Sequence, residues 1–187
     1  FHKSNTFPIE VLRAFRRGME RWIANGQRVY LVSGNHDWYL SGTEMLDALD
    51  INARDSEQVR VIMKTTVVQS KDEMLVFVPY ADRMRLETMD PQPGCTILGH
   101  FGVQGTMRWT AEDEVPMEAI ARHTPRHVIL GHYHDTKTLN ANGFKIHYVG
   151  SAAPMRYEKG SHVPKNGGIY LQRKADTVRR IPFTTPH

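Results

Sequence analysis

Between residues 8 and 25 apolar side chains recur at helical spacing. Val11, Leu12, Phe15, Met19, Trp22 and Ile23 fall on one face. Pro8 suits a first turn, Glu10 complements its positive end, and Asn25-Gly26 is a stop signal, so the spacing predicts an amphipathic helix over 8–25. The period then shortens. Residues 28–32 read as a strand running into Gly34-Asn-His-Asp37, and β-branched runs at 59–63, 66–69 and 74–78, parted by polar breaks, predict three more strands. Short apolar strands at 95–98 and 127–130 each run into Gly-His, and late strands are expected at 144–149, 168–173 and 178–183. Weaker helical patterns cover 43–49, 82–89 and 116–123.

No internal repeat or low-complexity linker divides the chain, and the loop-like stretch 160–168 is too short to separate domains. Helices crossing between some strands and hairpins joining others predict one α/β domain, spanning 1–187, with more than one sheet. Composition agrees with a soluble globular protein: 187 residues, 40% hydrophobic and 24% charged. No apolar run approaches the roughly 18 residues that cross a bilayer, and the expectation is a protein without a membrane partner. A single cysteine, Cys95 in an apolar strand, excludes an internal disulfide and reads as a small core residue; a reducing, cytoplasmic compartment fits. The net charge of +4 suits a polyanionic partner without specifying one.

Ten histidines are the more pointed feature. Three times an apolar strand stops at glycine and histidine: LVSGNHD at 31–37, ILGH at 97–100, and ILGHYH at 129–134. The strand supplies a rigid base, and the glycine is expected to let the backbone turn sharply. The histidine then projects from the strand's carboxyl end, where open α/β sheets bind ligands. Ligands arriving from separate loops are what a metal site needs. One Gly-His after a strand would more often be a plain turn; three in order, one of them Gly-His-x-His, is a far stronger signal.

GNHD, then GH, then GHxH, in that order, resembles the calcineurin-like metallophosphoesterase superfamily, and more closely its SbcD-type nuclease subunits, cellular or phage-borne. Phe1-His2 resembles the end of the GDLFH segment of those nucleases, and the run from Ile146 to Gly150-Ser151 their late strand and turn. The resemblance runs over nearly the whole chain. It implies a layered sandwich, two central mixed β-sheets flanked by helices, and a site for two divalent metal ions, Mn²⁺ foremost with Fe or Zn as alternatives. Such proteins open with an Asp-x-His strand and a Gly-Asp whose aspartate bridges both metals. Phe1 stands just after that point, and no later pair replaces them, so the segment is expected ahead of this chain or as a separate piece.

The resemblance also assigns roles. Asn35, His100 and His132 are expected to bind one metal, and His134 the other. His36 is expected to face the scissile phosphate as a proton donor, not a ligand. Asp37 orients the loop or His36, or is a plain turn cap. His2 contacts or orients the DNA phosphate, or is a frayed end. Tyr133 and Asp135 occupy variable positions and read as structural, and His123, His127, His147, His162 and His187 lack the loop context.

The implied activity is metal-dependent hydrolysis of phosphodiester bonds, in DNA as an exo- or endonuclease. Two alternatives stay open: a phosphodiesterase or phosphatase for small phosphoesters, and a non-catalytic subunit with an incomplete metal site. For DNA, Arg13, Arg16, Arg17 and Arg21 lie opposite the apolar face of the first helix, as a phosphate-tracking stripe or a solvated face. Trp38 and Tyr39 follow GNHD and could stack on a splayed base, wall the pocket or fill the core. The resemblance further implies an SbcC-type ATPase partner and a location in the cytoplasm, or in a host's cytoplasm if phage-encoded.

Overall fold

The first apolar stripe becomes α1 (Ile9–Ala24) in a computed structural model of the chain, which describes residues 9–37, 58–70, 73–106, 114–141, 143–151, 167–172 and 177–182. Main-chain bonds from Asn25 to Arg21 and from Gly26 to Ile23 end the helix. Its inner face lays Phe15, Met19 and Ile23 on Val29, Leu31, Val59 and Val61 of a two-stranded parallel sheet, β1 (Val29–Val32) and β2 (Val59–Ile62). Trp22, assigned above to the apolar face, is instead 48% exposed. It lies on the flank of the stripe, and among the described residues the sheet beneath is only two strands wide. The helix expected over 43–49 lies outside the described residues.

The larger sheet has six strands: β3 (Thr66–Gln69), β4 (Met74–Val78), β5 (Thr96–His100), β6 (His127–Gly131), β7 (Lys137–Ala141) and β8 (Phe144–Tyr148), in the order β3-β4-β5-β6-β8-β7. β4, β5, β6 and β8 run parallel, and β3 and β7 close the edges antiparallel. Two late strands, β9 (Gly167–Gln172) and β10 (Thr177–Pro182), pair antiparallel. The chain is therefore α/β with more than one sheet, as the pattern predicts.

Parallel strands need cover on their faces, and the central four carry the apolar residues for it. Val76, Val78, Ile97, Val128, Leu130, Ile146 and Tyr148 form a buried core with Leu86 of α2 (Arg85–Thr88) and Ile120 of α3 (Met117–Ala121). Both helices are shorter than expected. The pattern over 82–89 splits into a 3₁₀ turn, Tyr80–Asp82, and α2. Cys95 is fully buried in this core, and burial pushes its thiol up to about 11. β7 was not foreseen: Lys-Thr-Leu-Asn-Ala alternates half-buried and exposed positions with one large apolar side chain, as suits a sheet edge.

The two sheets meet at their carboxyl ends. Tyr30 of β1 stacks on Phe77 of β4, with centroids 4.6 Å apart. Just past these strands the Tyr80 amide donates to the Ser33 carbonyl (3.1 Å), and the Thr65 amide to the Asp82 carboxylate (2.7 Å). Because β4, β5, β6 and β8 run parallel, their following loops gather at one edge, the usual ligand edge of an open α/β sheet, and the Tyr80–Ser33 contact brings the end of β1 to it.

Candidate metal centre

Three strand ends build this edge. After β1 the chain turns at Asn35-His36, and Asp37 closes the turn: its Oδ2 accepts the Gly34 amide at 2.7 Å while its own amide donates to the Gly34 carbonyl at 3.2 Å. β5 ends on His100, in register with Gly131 at the end of β6. His132 follows directly.

The structure brings Asn35, His100 and His132 together. His100 Nε2 lies 3.1 Å from Asn35 Oδ1, so two side chains expected to share one metal face each other. The His100 and His132 rings are 5.5 Å apart, centroid to centroid, at 77°. Burial first, then the charge of a protonated His132, pushes the His100 imidazole down to about 4 against the pull of the Asp37 carboxylate. His100 is therefore neutral near pH 7, the form that can ligate a metal.

The glycines of the first and third motifs have a different purpose from the one expected. Neither Gly34 nor Gly131 has a positive φ. Instead the His100 ring lies between their two loops. A Cβ on Gly34 would meet that ring at 2.9 Å, and one on Gly131 would meet Nδ1 at 2.8 Å. These positions are empty of side chain so that His100 can reach the site. The unusual backbone belongs to His132, at φ 94°. A non-glycine residue there stores on the order of 1–3 kcal/mol of strain, a cost typical of functional sites.

The remaining expected residues are placed as follows. His36 is exposed at the tip of the first turn. His134 is exposed on the third loop, where its carbonyl accepts the Ser151 amide at 3.0 Å, so the Gly150-Ser151 turn clasps this loop. Arg13 and Arg17 are exposed on α1, and the neighbouring Arg16 pairs with Glu20 at 3.0 Å. His2, Trp38 and Tyr39 lie outside the described residues.

An amide oxygen and two imidazoles suit a divalent transition-metal ion such as Mn²⁺, Fe²⁺ or Zn²⁺, and glycine at both flanking positions makes the room. The donors fit the implied metal in kind. Among the described residues no group of three His, Cys, Asp or Glu side chains gathers as a metal cluster; the described set is two imidazoles and an amide.

Two neighbours escaped the sequence reading. Tyr80, at the carboxyl end of β4, stacks on His132 with centroids 5.8 Å apart, and the Arg83 guanidinium lies 4.2 Å over the Tyr80 ring. Glu114 accepts a hydrogen bond from the Tyr133 hydroxyl behind the site. Tyr80 carries no motif; its one available signal was its place just after a strand, at the edge where the histidines stand.

No family model matches this chain, and no curated protein matches it significantly. No helix among the described residues is long and apolar enough to cross a membrane.

Proposed function

We propose that this chain is a two-metal phosphoesterase of the SbcD-type, calcineurin-like kind, and that it hydrolyses phosphodiester bonds in DNA. One observation carries the reading. Asn35 of GNHD and His100 of GH lie within hydrogen-bond distance, with the His132 ring of GHxH against them, at the carboxyl ends of parallel strands. Sequence segments far apart in the chain meet at one edge, which supports a shared metal site there. The finer fold, a layered sandwich of two central mixed sheets, belongs to the same proposal; the contact between the two-stranded and six-stranded sheets supports it.

Two divalent ions bound there, Mn²⁺ by choice, would supply a water of lowered pKa and a positive clamp for the phosphate oxygens. Asn35, His100 and His132 would hold one ion, and His134 would contribute to the second. The chain's own chemistry is then one of position and proton supply. Asp37 fixes the turn that carries His36, and the exposed His36 imidazole donates its proton to the departing alkoxide. Tyr80 stacks on His132 and walls it on one side. DNA is the proposed substrate, an SbcC-type ATPase the proposed partner and the cytoplasm, of a cell or of a phage's host, the proposed compartment.

The test uses the full-length protein with Mn²⁺ and linear double-stranded DNA. His36→Ala is expected to keep its metal and lose about 10²–10⁴ in turnover, the scale of a positioned acid; His132→Ala is expected to lose metal and turnover together. Intact protein that leaves DNA uncut overturns the nuclease reading. Preference for a small chromogenic diester would move the assignment to a small-molecule phosphodiesterase.

A further inference from the structure

The inner wall of the His132 loop is a buried acid. Glu114 is only 3% exposed, and the main chain fixes it from both sides. Val103 and Val115 form a parallel bridge. The Val115 amide donates to the Gly102 carbonyl (2.9 Å), the Gln104 amide to the Val115 carbonyl (3.0 Å), and the Gln104 side chain to the Glu114 carbonyl (3.2 Å). On that frame one carboxylate oxygen, Oε1, accepts the Tyr133 hydroxyl, while Oε2 is buried with no protein hydrogen-bond partner among the described residues. A buried carboxylate kept in this way costs stability and calls for a reason.

Tyr133 is the residue after His132 in GHYH. Its ring lies 5.1 Å from the His132 ring and 4.7 Å from the ring of Tyr148, whose hydroxyl accepts the Val103 amide at 3.1 Å. The backbone at Gly102 leaves space for the pair: a Cβ there would meet the Tyr133 hydroxyl at 2.6 Å. The contact sits one residue from a backbone at φ 94° that needs its surroundings to hold it.

We propose that Glu114 and Tyr133 are a positioning pair, in which the segment after β5 holds the strained His132 loop in ligand geometry through the phenol–carboxylate hydrogen bond. The inference rests on the metal-site reading, and it assigns a role to Glu114, outside the histidine motifs, and to Tyr133, the spacer position within GHYH. Neither residue touches substrate or metal; each acts through His132. Tyr133 holds the residue that precedes it, and Glu114 holds Tyr133. Support of this kind behind a ligand commonly sets metal affinity by about 10–100-fold.

The experiment is calorimetric titration of the metal-stripped full-length protein with Mn²⁺, repeated with Co²⁺ for its visible spectrum, with thermal unfolding of each metal-free variant alongside. Tyr133→Phe removes the hydroxyl and keeps the ring. It is expected to weaken metal binding about 10–100-fold and to alter the Co²⁺ spectrum. Glu114→Gln keeps an acceptor oxygen and is expected to retain most of the affinity, whereas Glu114→Ala should match Tyr133→Phe. The double variant Glu114→Ala/Tyr133→Phe should be no weaker than either single one, because both remove the same bond. If Tyr133→Phe lowers the melting temperature but leaves affinity and spectrum unchanged, the pair is structural only and the proposal falls. If the unmodified protein binds neither ion, the metal-site reading itself falls.

Discussion

His132 holds a backbone angle that glycine would adopt more easily, yet a glycine would bring no imidazole. The residue before it faces the opposite constraint. Gly131 has an ordinary backbone and carries no side chain because the His100 ring fills the space. Gly131→Ala should therefore drive His100 from Asn35 and weaken Mn²⁺ binding at least about tenfold, with the fold intact, since ligands must be held to within about half an ångström; unchanged affinity by calorimetry would show that the close approach does not matter. A second residue-scale consequence lies away from the site. His123 is fully buried, its Nδ1 accepts the Gln92 amide at 3.0 Å, and its Nε2–H faces the Leu86 carbonyl at 3.0 Å. Burial, with Arg122 nearby and against the pull of the Leu86 carbonyl, lowers its pKa from the ordinary 6.5. The folded protein thus resists a proton that the unfolded chain accepts. Its stabilising contribution is complete above pH 6.5 and is lost as pH falls from there toward the lowered folded value. Urea midpoints should fall over that window, and the difference between wild type and His123→Gln should shrink with them; a difference independent of pH would remove His123 from the account.

At the scale of elements, periodicity was legible wherever the apolar signal was strong. β3 and β4 occupy the residues expected of them, and α1, β1, β2, β5, β6 and β8 differ by a residue or two at their ends. β7 was illegible because an edge strand needs few apolar residues: its ladder to β8 is made by main chain, and Leu139 alone brings a large apolar side chain. Trp22 misled for the converse reason, since helical spacing records which residues share a face and not how wide the partner beneath it is. The arginines of α1 bear on the proposed DNA substrate. Arg13 and Arg17 are exposed, while Arg16 is engaged with Glu20 in an exposed pair of the kind that contributes little. Arg13→Glu with Arg17→Glu should flatten the salt dependence of duplex DNA binding by about 0.9 log units per log unit of salt for each phosphate no longer neutralised, and leave cleavage of a small diester untouched. An unchanged slope would make the stripe a solvated face.

For the whole molecule, the three histidine motifs share one edge, because each of them follows a strand that pairs in parallel. They could not point to Glu114 or Tyr80, whose relation to His132 is created only by packing. Glu114 sits in no histidine loop, and its partner Tyr133 stands at a variable position between two histidines. The join between the sheets has a consequence for motion. α1, β1 and β2 share a small cluster around Met19 and Val59, separate from the core of the six-stranded sheet. Polar contacts help tie them to it: Tyr80 to Ser33, Thr65 to Asp82 and His100 to Asn35, the last bridging 65 residues of chain. A unit with its own small core and polar ties can open without the rest unfolding. Amide hydrogens of β1 and β2 should thus exchange with deuterium sooner than those of β5 and β6, and equal rates would show a single cooperative block. Each such opening carries Asn35 away from the histidines, so whatever binds at that edge acts as a clasp between two separately breathing parts and slows the exchange of strands it never touches.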